Sequence, residues 1–182
     1  MNKRKKGHLL FWNAWLLLFI SGGLQAAGSG LDVTFKGILI DRQCVFEQGD
    51  APLEVEFTPK AVRFFNNHSR TETIPFTLGL KNCTAALQGK AVDLTFSYSQ
   101  TEIIDGVAML KPTGNTGLVI ALLDGAGNTI TPNKAVDVGT IEHVGAGKVN
   151  RFTLGAYVMA PAGVTINAGT YSATATFMVS YR

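Results

Sequence analysis

Residues 169–182 have the sequence GTYSATATFMVSYR, and their side chains alternate in character. One face of this stretch carries aromatic, aliphatic or small side chains: Tyr171, Ala173, Ala175, Phe177, Val179 and Tyr181. The other face is polar except for Met178. This period of two predicts a half-buried β-strand. The chain ends at Arg182, and no proline or charge precedes that residue in the stretch. We therefore expect either a strand paired inside a complete sheet or an edge that awaits a partner.

A second alternating stretch lies near the start of the chain. Asp32, Thr34, Lys36 and Ile38 separate the members of its apolar face, which are Leu31, Val33, Phe35, Gly37 and Leu39. Glycine on the apolar face of a strand suggests the close approach of another backbone or side chain. Strong strand patterns therefore occur at both ends of the chain.

The first 26 residues have the pattern of a secretory signal peptide. Four basic residues at positions 3–6 precede an apolar run over residues 9–20, and small residues follow. The run is too short for a permanent anchor, which needs about 20 apolar residues. We therefore expect no stable membrane insertion and cleavage after Ala26, with Gly28 as the alternative site. Without these four basic residues, 12 Lys and Arg remain against 13 Asp and Glu. The basic character belongs to the leader, which argues against a nucleic-acid partner.

The two cysteines, Cys44 and Cys83, are predicted to form one disulfide, because exported chains meet an oxidising environment. Two free buried thiols are the less favoured interpretation. A metal site is less favoured still, since the cysteines have no C-x-x-C neighbours and the mature chain keeps only His68 and His143.

The rest of the mature chain has short alternating or apolar runs and no sustained helical period. We expect strands within residues 53–57, 74–80, 92–98, 118–123 and 152–159. Asp124-Gly125 with Gly127-Asn128 predicts a hairpin turn. Residues 61–73 are interpreted as a surface loop, 102–115 as a loop with one short strand, and 132–148 as poorly ordered. Short strands, regular turns and one disulfide predict a β-sandwich of immunoglobulin type.

Sequence motifs for catalysis are missing. The chain has no G-x-S-x-G, H-E-x-x-H or P-loop motif, and both mature histidines lie in polar or glycine-rich loops. We therefore expect no catalytic residues, no metal site and no cofactor. The function that the strand patterns favour is backbone pairing between chains. The C-terminal strand would be the exposed edge, and the N-terminal strand would be free to pair with another chain.

The terminal stretches resemble the pilin subunits of chaperone–usher pili. The segment DVTFKGILIDRQC, residues 32–44, is similar to that family's N-terminal extension and first strand. Residues 169–182 are similar to its C-terminal motif, in which Gly169 stands fourteenth from the end and Tyr181 is penultimate. LVIALLD at 118–124 and LGAYV at 154–158 resemble internal family strands. Within the family, the sequences of these segments are most similar to the minor adaptor subunits of P-type pili.

The resemblance implies an all-β, incomplete immunoglobulin-like sandwich that lacks its last (G) strand. A periplasmic chaperone would fill the gap first, and the N-terminal extension of a neighbouring pilin subunit would replace it at the outer-membrane usher. The implied organisation is a signal peptide at 1–26, a donor-strand extension at 27–40 and a pilin domain at 41–182. The implied location is the cell-surface pilus, reached through the periplasm.

These expectations assign roles to residues at both ends of the chain. The donor strand comprises Leu31, Val33, Phe35, Gly37 and Leu39. The strand that meets the chaperone comprises Gly169, the six residues of the apolar face and Arg182, whose terminal carboxylate would be captured by basic residues of the chaperone. The expected function is that of a structural adaptor subunit. The alternatives are a tip or shaft pilin, a carbohydrate-binding adhesin, and, most distantly, a secreted hydrolase.

Overall fold

The computed structural model describes residues 43–182. The predicted signal peptide and donor-strand extension, with Leu31, Val33, Phe35, Gly37 and Leu39, lie outside the described residues. No helix in the described part of the chain is long and apolar enough to cross a membrane.

Residues 43–182 form two antiparallel β-sheets and contain no α-helix, so the predicted all-β class is confirmed. Two short 3₁₀ helices occupy Val62–Asn66 and Ala85–Leu87. The strands are β1 Val45–Phe46, β2 Ile74–Lys81, β3 Ala91–Tyr98, β4 Thr101–Ile104, β5 Val107–Leu110, β6 Val119–Leu123, β7 Ala135–Thr140, β8 Val149–Met159 and β9 Ala175–Tyr181.

The larger sheet has the strand order β1-β2-β8-β6-β5-β4, and the smaller has the order β7-β3-β9. The main core lies between them. The inner faces of both sheets supply its fully buried members, which include Leu78, Leu94, Phe96, Ile120, Leu122, Leu154 and Val158. All five residues of β6 are buried, as its continuous apolar sequence predicts for an inner strand. The smaller sheet ends at β9, with no further strand of the described region beside it.

The Cys44–Cys83 disulfide is present, as predicted. Cys44 directly precedes β1, and Cys83 lies two residues after β2. The bond therefore fastens the start of the described chain to the second strand of the larger sheet. Cys83 is 1% exposed and packs in a second apolar cluster with Leu80, Val92 and Phe152.

A buried asparagine fixes the loop beside the disulfide. The side-chain oxygen of Asn150 accepts hydrogen bonds from the backbone N–H groups of Glu142 and His143, at 2.9 and 2.8 Å. Its amide nitrogen donates to the carbonyl of His143 at 2.7 Å. Asn150 is only 4% exposed, and both polar atoms of its side chain have hydrogen-bond partners.

Two segments interpreted as loops contain strands. Residues 132–148 include β7, and residues 102–115 lie in the β4–β5 hairpin and the segment that follows it, with two strands in place of the one expected. The alternation of burial in β7 is broken at Gly139, where β3 and β7 shift register. The backbone pairing partners, rather than the local sequence, make these residues strands.

Two predicted strands are shorter or differently built. Residues 53–57 form no strand in either sheet, although Val55 and Phe57 pack against the main core. The C-terminal strand begins at Ala175, and before it only Ser172 forms an isolated bridge, with Thr113. The alternation of burial nevertheless continues from Tyr171 to Arg182, so the predicted face is correct even where the strand assignment is not.

Candidate functional site: a groove beside the last strand

The edge of β9 that faces away from β3 is unpaired within the described residues. The backbones of Arg182 and Ala91 exchange two hydrogen bonds, at 3.0 and 3.2 Å. Bonded and non-bonded pairs alternate in an antiparallel ladder. The backbone groups of Ser180, Met178 and Thr176 therefore point at β3, and those of the intervening residues point at the open side: Ala175, Phe177, Val179 and Tyr181.

The same four residues carry their side chains on the inner face of the sheet. They pack against the two apolar clusters but are only half buried, whereas Met178 on the outer face is 71% exposed. Free backbone groups and incompletely covered apolar side chains therefore coincide along one edge. An added strand could pair with the free backbone groups and cover the apolar side chains.

The opposite side of the opening is formed by residues 46–57. Within the described part of the chain, residues 51–60 form no backbone–backbone hydrogen bond. We call the space between residues 46–57 and residues 171–181 the groove. Its two sides lie in contact with the same core, since Val55 and Phe57 on one side and Ala173 and Phe177 on the other pack against it.

The groove is a chain of cavities. One of about 750 Å³ extends from Phe46 along residues 48–57 and 171–177. A second of about 660 Å³ continues past Val55 and Phe57 toward Phe65 and Ile166. A smaller one of about 140 Å³ opens into the core between the two sheets, where it is lined by Phe76, Phe96, Leu110, Ile120, Leu122, Ala156, Ala173, Ala175 and Phe177 among others. Alanine at 173 and 175 leaves this space unfilled.

Two aromatic contacts span the groove. Phe46 meets Phe177 edge to face with ring centroids 5.7 Å apart, and Phe57 lies 6.4 Å from Tyr171. Phe177 also packs on Phe96 at 5.6 Å. These two ring pairs connect the two sides of the groove, and the unfilled space lies between the pairs.

The outer face of β9 ends in a charge network. The Arg182 guanidinium binds the carboxylate of Asp93 on β3 through Nε and Nη2, and Nη2 also donates to Asp137 on β7 at 2.8 Å. This hydrogen bond from Arg182 holds the pKa of Asp93 below its usual range, against the opposite effect of burial. Asp93 is 5% exposed, so its charge has a partner where water is largely excluded.

Gly169 lies at the far end of the groove, in the cavity that Phe65 and Ile166 line. A Cβ atom there would meet Thr116 Cγ2 at 3.6 Å, an ordinary contact, and the backbone does not have a positive φ. The fold of the described chain therefore does not itself require glycine at position 169.

The structure brings the C-terminal residues named from the sequence together along the groove and its outer face. The disulfide lies at one end, where Cys44, Val179 and Tyr181 share a cluster. Sequence reasoning missed the second side, residues 46–57, and the partners of Arg182. The inward alternation of Val55 and Phe57 was the available signal for the second side. In residues 43–182 no group of three His, Cys, Asp or Glu side chains could hold a metal ion.

Comparison with known proteins gives the family. The model of the family described as Fimbrial protein matches residues 33–182. The chain is 39% identical over 177 residues to Fimbrial adapter PapK of Escherichia coli, covering 92% of this chain and 96% of that protein. It is 40% identical, with the same coverage, to Protein PrsK of Escherichia coli.

Among solved structures, the P pilus rod subunit PapA matches with a TM-score of 0.63 at 23% identity, over 78% of this chain and all of that one. A chain of a chaperone–usher pilus structure matches with the same TM-score over 85% of this chain. These similarities show the fold, the incomplete immunoglobulin-like sandwich. Together with the family model and the two relatives, they establish that the chain belongs to the fimbrial protein family and is a pilin.

Proposed function

We propose that this chain is an adaptor pilin that joins two neighbouring subunits of a chaperone–usher pilus by strand exchange. Its groove accepts a strand from one neighbour, and its residues 31–39 are donated to another. The observation that carries the proposal is the edge of β9, where unpaired backbone groups and half-covered apolar side chains coincide over residues 175–181.

The accepting side has a physical basis in that edge. A donated strand would pair with backbone groups at Ala175, Phe177, Val179 and Tyr181, and its alternate side chains would enter the space above Ala173 and Ala175. Each fully buried aliphatic or aromatic side chain contributes roughly 1.5–3 kcal/mol. A few such side chains, together with the backbone pairing, are sufficient for a tight joint.

The donating side rests on the sequence. Leu31, Val33, Phe35 and Leu39 have the spacing that fills successive pockets of a groove like the one described here. Gly37 interrupts this face, and its proposed role is to fit a point of the neighbour's groove that has no room for a side chain. The alternative role of Gly37 is a local kink of the strand.

The proposed partners are inferred from the same geometry. A chain with a bare apolar groove needs a temporary cover during export, and we propose a periplasmic chaperone whose strand occupies the groove until the usher hands the subunit to its neighbour. The terminal carboxylate of Arg182 is proposed to bind basic residues of this chaperone. The adaptor role is supported by the identity to a relative named as a fimbrial adapter. The proposed location is the surface pilus, with no catalytic activity.

The test uses purified chaperone–subunit complexes, mixed in pairs and scored for linked subunits on a gel. Gly37→Leu should fold and bind the chaperone, yet fail to join the preceding subunit because the added side chain meets the floor of that groove. It should still accept the next subunit, since its own groove is unchanged.

A matched control is Lys36→Leu, which adds a similar apolar side chain on the opposite face of the same strand and should join normally. A chain truncated before Ile38 should fail as Gly37→Leu does. Normal joining by Gly37→Leu or by the truncated chain would refute the donor assignment.

A further inference from the structure

Two carboxylates lie side by side on the outer face of the smaller sheet. Asp93 of β3 and Asp137 of β7 are direct register partners, because a bulge next to Asp93 pairs Val92 with Gly139 and skips Val138. Asp93 is 5% exposed, while the side chain of Asp137 is 54% exposed. Like charges directly opposite each other destabilise a pair of strands. A cation on the outer face of this sheet would relieve the repulsion between the two carboxylates.

Arg182 supplies that cation from the third strand of the sheet. Its planar guanidinium forms two hydrogen bonds with Asp93, and its Nη2 bridges to Asp137 Oδ2 at 2.8 Å. Such forked, charge-assisted contacts are among the stronger hydrogen bonds of proteins. One side chain thus links β9, β3 and β7, the whole width of the smaller sheet.

The bridge is located where the groove needs support. Arg182 directly follows β9, and its two backbone hydrogen bonds with Ala91 extend the pairing one position beyond the last register pair, Val92 and Tyr181. The terminal residues of a strand separate readily unless they are held in place. Because the guanidinium lies on the outer face, it holds this end of β9 without occupying the groove.

We propose that Arg182 is a positioning residue for strand acceptance. By bridging Asp93 and Asp137 it keeps the end of β9 paired with β3, so that the free edge at Val179 and Tyr181 is ready to bind a partner's strand. The inference rests on the proposed function in taking this edge as the accepting one. It assigns Arg182 a second role, through its side chain, that is separate from capture of the terminal carboxylate.

The first test is hydrogen exchange of the full exported chain. In Arg182→Gln, the backbone amides of residues 180 and 182, which point at β3, should exchange at least about tenfold faster than in the wild type, the effect expected for loss of hydrogen bonds to a charged group. The amide of Thr176, at the other end of β9, should be unchanged.

Lys111→Gln is the control, because Lys111 is another largely exposed basic residue with one carboxylate partner, Glu102 of β4, and neither residue lines the groove. Its β9 amides should exchange at the wild-type rate. Arg182→Lys keeps the charge but loses the fork, so it should lie between the wild type and Arg182→Gln. Exchange in Arg182→Gln that equals that of Lys111→Gln would overturn the proposal, and full rescue by lysine would overturn the bridging geometry.

The second test measures binding of a synthetic peptide with the sequence of residues 30–41, as a strand of the expected donor type. The peptide should dissociate several-fold faster from Arg182→Gln than from the wild type and from Lys111→Gln. Equal dissociation rates would overturn the positioning role. No binding to the wild-type chain would count against the proposed function itself, whereas the exchange test would still decide whether Arg182 holds the end of β9.

Discussion

Phe46 of β1 and Phe177 of β9 meet edge to face, with ring centroids 5.7 Å apart and planes at 82°. They belong to different sheets, so this contact joins the two layers beside the groove. Edge-to-face pairs contribute about 0.5–1.5 kcal/mol beyond the area they bury. The contact is therefore one of the few that hold the two sides of the groove at a fixed separation.

We expect Phe46→Ala to lower the free energy of unfolding by about 2 kcal/mol, less than the 3–5 typical of a fully buried phenylalanine, because Phe46 is half exposed. Urea unfolding measures the change. Phe64→Ala is a suitable control, since Phe64 is also half buried but stacks on His68 outside the groove. A larger loss in the control than in Phe46→Ala would contradict the role given to the contact.

Ala175→Leu should block strand acceptance without unfolding the chain. Ala175 lines the cavity of about 140 Å³ between the sheets, so the larger side chain has space that a partner's side chain would otherwise fill. Peptide binding should fall by at least about tenfold, the equivalent of 1.4 kcal/mol. Thr176→Leu adds similar bulk on the outer face and should bind normally. Equal binding by both variants would show that the cavity does not receive the partner.

Replacing both cysteines, Cys44→Ser with Cys83→Ser, should lower the free energy of unfolding by roughly 4 kcal/mol, because a cross-link over 39 residues restricts the unfolded chain. Urea unfolding of the oxidised wild type and the double variant measures this difference. Thiol titration of the denatured, unreduced wild type should find no free thiol. Two reactive thiols would mean that the exported protein does not form the bond.

Tyr98 should make the chain less stable in strong alkali. Burial raises the pKa of Tyr98 from 10 to about 12, and its hydroxyl donates to the carbonyl of Ile130 at 2.9 Å. Because the folded state favours the neutral phenol, this contribution is complete below pH 10 and is lost as the pH rises toward 12. The urea midpoint of the wild type should fall over that interval more steeply than that of Tyr98→Phe. Parallel curves for the two proteins would contradict this prediction.

The sequence predicted the groove-facing side of β9 correctly while placing the start of the strand too early. Side chains of an extended segment alternate whether or not the backbone is paired, so Tyr171 and Ala173 share the face of Phe177 although they precede β9. Strand pairing depends on a neighbour that local sequence does not specify. For the same reason β7 and the β4–β5 hairpin were not predicted in full.

The sequence by itself determined the all-β class, the disulfide and the face of the last strand. Each of these follows from a local pattern or from the cysteine count together with the predicted signal peptide. Only the tertiary structure decided that residues 46–57 form the second side of the groove and that Arg182 reaches Asp93 and Asp137. Those contacts join residues 45 to 131 positions apart, and a single bulge between β3 and β7 sets which carboxylates meet. Register between distant strands is a property of the packed sheets, so no local sequence pattern could have indicated it.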